Sequence, residues 1–250
     1  MGQKTMNLDL ACITNSGSRT INQDFAGYER YGNICCLAVA DGVGGCQYGE
    51  YAAYLAVESI CQSFQKEPIV TEVVLHRHIQ EASQHILDII QKHPEMHTMH
   101  TTIAVVYLDE NHVVVGHVGD SRIYIFHKGK IVYCSQDHSL VMQKVLKGEL
   151  QADEIRSHPK RNIITSALGS QLPKQIDTRK IDFPFIPQDG ILLCSDGFWE
   201  LILEDEMLEL LSISETTKQW VSEMERLVSN RQSSRSDNYT CLAAMVFPDC

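Results

Sequence analysis

Residues 102–134 set the tightest limit on the fold. Four apolar runs stand there almost end to end: TIAVVYL (102–108), HVVVGHV (112–118), RIYIF (122–126) and IVYC (131–134). The breaks between them are turn-sized. Asp109-Glu110-Asn111 separates the first two, and His127-Lys128-Gly129-Lys130 the last two. Runs this short, rich in β-branched and aromatic residues, read as strands. Connections this brief leave no room for a crossover helix, so the segment is expected to be an antiparallel meander. LDLACI (8–13), ICCLAVA (34–40), ILLC (191–194) and TCLAAMVF (240–247) supply further strands.

Helical periodicity is confined to a few stretches. Glu50 to Gln65 carries Ala52, Leu55, Ala56, Ile60 and Phe64 at spacings of three and four. Thr71 to Lys92 carries Val74, Ile79, Ala82, Ile86 and Ile90, and stops before Pro94. Glu204 to Leu211 is a shorter candidate. Thr216 to Asn230 opens with a capping-box pattern, Thr216 to Gln219, and sets Trp220, Met224 and Leu227 on one face. Helices and strands are thus segregated, which is an α+β pattern. A chain of 250 residues without repeat or linker suits a single domain, 1–250. Residues 142–170 are polar and irregular, and read as a surface flap.

The net charge of −11 argues against a nucleic-acid partner, whose phosphates call for Lys/Arg patches. No run approaches the roughly 18 apolar residues of a membrane span. The N-terminus lacks the basic-then-apolar signal pattern, and Met6 stands where a myristoylation motif needs Ser or Thr. Nine cysteines, an odd number with no C-x-x-C pair, sit mostly in apolar runs (Cys35, Cys36, Cys61, Cys134, Cys194, Cys241). They read as core thiols of a reducing compartment, so the expected location is the cytoplasm.

Aspartates recur at the ends of the apolar runs. Asp41 follows ICCLAVA, Asp120 follows HVVVGHVG, Asp196 follows ILLCS, Asp237 precedes TCLAAMVF and Asp24 precedes ICCLAVA. One strand-end aspartate is ordinarily a turn residue or a helix cap. Five of them, three beside glycine, call for more. If the strand ends converge, the carboxylates repel and desolvate one another, and bound cations stabilise the cluster. Carboxylate and carbonyl oxygens are hard donors and suit Mg²⁺ or Mn²⁺. Zinc would want His or Cys at fixed spacing. His93 and His97 have the interval, but Pro94 breaks the helix that would align them. Two divalent ions sharing a carboxylate are suited to phosphoester hydrolysis. Other phosphate sites fail on spacing. Gln47 occupies the third glycine position of a dinucleotide loop that would begin at Gly42, and CITNSGSR (12–19) has one residue too many for a C-x₅-R loop.

With these residues in place, the chain resembles the metal-dependent (PPM, type 2C) protein serine/threonine phosphatases, especially the stand-alone bacterial members. GSRTINQD (17–24) resembles the family's R-x-x-N-[EQ]-D motif. VADGVGG (39–45), VGHVGDSRIYIF, SQDHSLVMQKVLKGEL with HPKRNIITSALGS, ILLCSDGFW and SDNYTCLAAMV follow in the family's order. The resemblance implies a four-layer α-β-β-α sandwich of two antiparallel sheets with a flap near 142–170. It implies two Mn²⁺ or Mg²⁺ ions bridged by Asp41, with the Gly42 carbonyl on one and Asp196 and Asp237 completing the other. Asp120 would bind a third, weaker ion, and Asp24 would hold metal-bound waters. Arg19 would clamp the substrate phosphate, its planar guanidinium matching a dianion. A metal-activated water would then attack phosphorus without a covalent intermediate. The implied partners are phosphorylated proteins and a cognate Ser/Thr kinase, and the implied state is a monomer.

Departures from the family pattern accompany the match. Val43 stands where eukaryotic relatives carry a histidine proposed as general acid. Gln23 replaces a glutamate, as it does in bacterial relatives. His100 stands where a glycine often precedes the Thr101-Thr102 pair, and is expected in a packing or surface role. Cys46 is expected to be an inert thiol, and Arg122 to make a structural ion pair. Two rival functions stay open on sequence alone: a non-catalytic binding module, and a hydrolase of small phosphoesters.

Overall fold

The computed structural model describes residues 7–43, 47–110, 112–170, 175–182 and 184–247. Its strands are β1 (Asn7–Asn15), β2 (Asp24–Tyr31), β3 (Ile34–Asp41), β4 (Ile103–Leu108), β5 (His112–Val118), β6 (Arg122–His127), β7 (Lys130–Cys134), β8 (Asp177–Asp182), β9 (Gly190–Cys194) and β10 (Tyr239–Phe247). The helices are α1 (Gly49–Lys66), α2 (Glu72–Lys92), α3 (Leu140–Leu146), α4 (Asp196–Trp199), α5 (Glu204–Ile213) and α6 (Thr217–Asn230). The strands form two five-stranded sheets, ordered β2-β3-β4-β5-β8 and β1-β10-β9-β6-β7. Their ladders are antiparallel throughout.

The two sheets stack face to face, and helices cover both outer faces. Alternate residues of each strand explain the layering. Leu37 and Val39 of β3 meet Ile123 and Ile125 of β6 and Leu193 of β9 in a core between the sheets. The residues between them, Cys36, Ala38 and Ala40, face the other way and pack under α1 and α2. That interface is made of small residues, since α1 presents Ala52, Ala53 and Ala56. Tyr124, Leu192, Cys194 and Ala243 of the second sheet pack under α5 and α6, against Met207, Trp220 and Met224. The α+β, α-β-β-α expectation holds.

The structure departs from the sequence reading at several elements. Residues 102–134 are two hairpins and not one meander: β4 pairs with β5 in one sheet, β6 with β7 in the other. The chain changes sheets at Gly119-Asp120-Ser121, where Gly119 takes φ +98, a left-handed conformation open to glycine. A Cβ there would lie 2.5 Å from Cγ2 of Thr102. Strands β2 and β8, DFAGYERY and DTRKID, lack apolar runs because they are the two edges of their sheet, where polar residues face water and discourage edge pairing. Cys134, read as a core thiol, is exposed on edge strand β7. The flap is less irregular than expected, since 140–146 form α3, capped by Ser139 Oγ accepting from Met142 N at 3.2 Å. The capping box at α6 is shifted: Thr216 accepts from Gln219 N at 3.1 Å, but Gln219 reaches back to Glu215 N at 3.0 Å. Cys46 lies outside the described residues. Among the described residues, no helix is long and apolar enough to cross a membrane.

Trp220 anchors α6 to the second sheet. It is fully buried, meets the Phe126 ring edge-on at 5.3 Å between centroids, and donates Nε1–H to Met207 O at 3.0 Å. Trp220→Ala therefore leaves a large cavity and removes the hydrogen bond that ties α6 to α5. It is expected to cost about 3–5 kcal/mol in urea unfolding, and a loss below 1 kcal/mol would contradict this packing.

Candidate metal centre

Two adjacent strands end on carboxylates that face each other. Asp24 begins β2, Asp41 ends β3, and the two are direct cross-strand partners. Like charges so placed destabilise a sheet. Asp120 sits in the crossing between the sheets, Asp196 starts α4 directly after β9, and Asp237 precedes β10. Arg19, Asp41, Asp120, Asp196 and Asp237 line one cleft of about 130 Å³, with Val43, Thr102 and, from the flap, Asn162 and Ile164. The strand ends of both sheets thus bring the predicted acids together.

Hydrogen bonds hold these acids from the backbone outward. Asp41 N donates to Thr102 Oγ1 at 3.0 Å, and its carbonyl accepts from Thr101 Oγ1 at 2.9 Å and Thr102 N at 2.8 Å. Ser195 links three strands: its Oγ donates to Asp24 Oδ2 at 2.7 Å and accepts from Thr240 N at 2.9 Å. Trp199 Nε1–H donates to Asp120 O at 2.9 Å, tying the crossing turn to the helix that Asp196 begins. Buried Asn238 organises the Arg19 loop. It accepts Gln23 N at 2.9 Å and donates to Ser16 O at 2.9 Å and Ile21 O at 3.0 Å.

Gly42 is required for close approach, since a Cβ there would lie 2.3 Å from Gly49 C at the start of α1. Gly44 and Gly45 lie outside the described residues.

Electrostatics mark this end of the molecule. Burial, then repulsion from Asp24, Asp196, Asp120 and Asp237, pushes Asp41 well above the carboxylate range. Burial and then Asp120 do the same to Asp196. Asp24 rises to about 6, mainly by burial and against a hydrogen bond from Ser195. Asp120 rises to about 7 by burial and the neighbouring Asp137. The carboxyl oxygen Oδ1 of Asp24 is buried without a partner. Crowded, desolvated oxygen donors with an orphan among them fit hard divalent cations, which neutralise the repulsion.

Other expected residues fall as follows. Arg19 is half-exposed at the rim and pairs with Asp237 Oδ2 at 2.8 Å. Arg122 makes a buried bidentate pair with Asp137, both bonds 2.8 Å, and lies 3.5 Å over the Trp199 ring. Val43 supplies no proton donor from its side chain, and its N–H goes to His100 O at 3.0 Å. His100 Nδ1 meets Thr98 O at 3.1 Å, a local role. Gln23 donates to Glu50 Oε2 at 3.3 Å. Thr102, Ser195, Asn238 and Asn162 were given no role by the sequence reading. Their types are common in turns, and adjacency alone, Ser195 beside Asp196 and Asn238 beside Asp237, did not single them out.

A sandwich with hard-oxygen donors at one end and an arginine on the rim has the architecture of a metal-dependent phosphoester hydrolase. Residues 14–241 match the family described as protein phosphatase 2C. Serine/threonine phosphatase stp of Listeria monocytogenes is 31% identical over 201 residues, 78% of this chain and 79% of that protein. Serine/threonine phosphatase Stp1 from Staphylococcus aureus superposes with a TM-score of 0.88 at 27% identity, covering 99% of this chain and 98% of that one. The catalytic domain of the phosphatase PstP, crystallised with two manganese ions, superposes at 0.81 with 25% identity, covering 98% of this chain and 100% of that one. The chain belongs to the protein phosphatase 2C family, the metal-dependent protein serine/threonine phosphatases.

The raised carboxyls have a consequence for the metal-free protein. A carboxyl whose folded pKa exceeds its unfolded value favours folding below the unfolded value, about 3.9, and loses that contribution as pH rises through the folded one. For Asp24 and Asp120 that window runs up to about 6 and about 7. In EDTA at pH 8, Asp24→Asn and Asp120→Asn are expected to raise Tm, at about 2–4 °C per kcal/mol, and the gain should disappear near pH 4. Unchanged or lower Tm at pH 8 would contradict the crowding.

Proposed function

We propose that the chain hydrolyses phosphoserine and phosphothreonine on proteins at this acidic cleft, using divalent metal. The observation that carries the proposal is the convergence of Asp41, Asp120, Asp196 and Asp237 on one cleft with Arg19 at its edge. Asp41, the Gly42 carbonyl, Asp196 and Asp237 would hold two Mn²⁺ or Mg²⁺ ions. Asp120 would hold a third, and Asp24 would orient waters beside them. Bound divalent cations supply positive charge against the phosphoryl oxygens and acidify a ligated water.

The chain's own residues account for the rest. Arg19 pairs with Asp237 at the rim, an exposed contact of the kind worth little, so a phosphate dianion competes well for the guanidinium. Ser195 and Asn238 hold Asp24 and the Arg19 loop in place. Val43 lines the cleft without a protic side chain, so protonation of the leaving alkoxide falls to a water or another group and not to the side chain at position 43. Residues 1–250 would form one catalytic domain, supported by the core the two sheets share. The free thiols of the described cysteines support a cytoplasmic location, and the likeness to stand-alone bacterial phosphatases is the ground for a monomer working against a Ser/Thr kinase.

The test is hydrolysis of a phosphothreonine peptide in Mn²⁺. EDTA should abolish it. Asp196→Asn should lower kcat by more than about 100-fold, the scale of a lost metal or electrostatic contribution. Arg19→Ala should raise KM for the peptide. Inactivity of the wild type in saturating Mn²⁺ would overturn the enzymatic reading, and EDTA-resistant activity the metal reading. Preferential turnover of a phosphotyrosine peptide or a small phosphoester would overturn the specificity.

A further inference from the structure

A second cluster of titratable groups lies beside the crossing that carries Asp120. Among the described residues, His117, His138 and Asp177 are the one set whose ligand atoms lie within 4.8 Å of one another. His117 and His138 are buried and stack at 4.5 Å between ring centroids. Asp177 is the register partner of His117 on the neighbouring strand.

Hydrogen bonding decides what this cluster does. His138 Nδ1 accepts from Gly119 N at 3.2 Å, so a neutral ring carries its proton on Nε2. That proton points at Asp177 Oδ2, 3.2 Å away. Neither nitrogen of His138 then has a lone pair to give a cation. His117 Nε2 faces Gln136 O at 2.8 Å and so carries its own proton, leaving only Nδ1 as a buried, unpartnered acceptor. A metal at the three residues would require His138 to abandon Gly119.

His138 instead grips Gly119 twice. Its side chain accepts the Gly119 N–H, and its backbone N–H donates to Gly119 O at 2.9 Å. Gly119 precedes Asp120 and has the left-handed φ of +98. The same residue roots the flap. His138 O accepts from Thr165 N at 2.7 Å, and the next residue, Ser139, bridges Ile164, which lines the cleft.

We infer that His138 is a positioning residue: its Nδ1 acceptor, held in that tautomer by Asp177, orients the Gly119–Asp120 turn for metal binding and joins it to the root of the flap. The inference rests on the proposed role of Asp120 as a ligand of the weaker ion. Removing the acceptor should weaken that ion and leave the tighter ones alone. Asn places an amide oxygen near the position of Nδ1, whereas Gln reaches toward Nε2.

The test is a Mn²⁺ titration followed by EPR of the free ion, on folded wild type, His138→Leu, His138→Asn, His138→Gln and Asp120→Asn. His138→Leu and His138→Gln are expected to weaken the low-affinity class by about tenfold or more, the usual scale for groups that orient ligands. His138→Asn should restore it, and the high-affinity class should be unchanged in all three. Should His138→Leu fail to fold, the Asn and Gln variants carry the comparison. Equal low-affinity binding in those two variants would overturn the role of His138. Unaltered Mn²⁺ binding in Asp120→Asn would instead overturn the assignment of Asp120.

Discussion

Mutual repulsion among buried carboxylates is the constraint on which this molecule turns. Asp24 and Asp41 are direct cross-strand partners, and Asp41 also feels Asp196, Asp120 and Asp237. A sheet does not place like charges opposite each other for its own stability. The arrangement persists because the rest of the fold outweighs it. Three buried layers of apolar contact lie along the two sheets, one between them and one beneath each pair of helices. A site that costs stability and a core large enough to bear it are two sides of one design, in the manner of functional sites generally.

Rigidity at the cleft comes from a few short-range contacts between segments distant in sequence. Ser195 ties β2, β9 and β10 together through one hydroxyl. Asn238 pins the loop that carries Arg19. Gly42 admits the start of α1, and Gly197 admits the Asn238 carbonyl, which a Cβ would approach to 2.0 Å. Trp199 joins the Asp120 turn to the helix begun by Asp196, and its ring lies beneath the Arg122–Asp137 pair. These contacts fix donor positions before any ligand arrives, so less ordering entropy is lost on binding.

Much of this could be read from residue order, and the failures have physical causes. The buried strands announced themselves as apolar runs, and the acids at their ends were visible as a recurrence that no single turn explains. The edge strands β2 and β8 were not visible, because an edge exposed to water needs no apolar pattern. The change of sheet at Gly119 was hidden too. Strands β4, β5 and β6 are buried on both faces, so their sequences carry no alternation that would say which sheet each joins. The partners of the acids, Thr102, Ser195 and Asn238, are common turn residues whose importance arises only from tertiary contact. His138 belongs with them, since its role depends on Gly119 and Asp177, both far away in the chain.

The central claim is that the carboxylates are a metal centre, and anomalous scattering from crystals grown in Mn²⁺ tests it most directly. Two strong peaks are expected, one shared by Asp41, Asp196 and Asp237 and one at Asp41 and the Gly42 carbonyl, with a weaker third at Asp120. A cleft without anomalous density, or density at His117, His138 and Asp177 instead, would contradict the account.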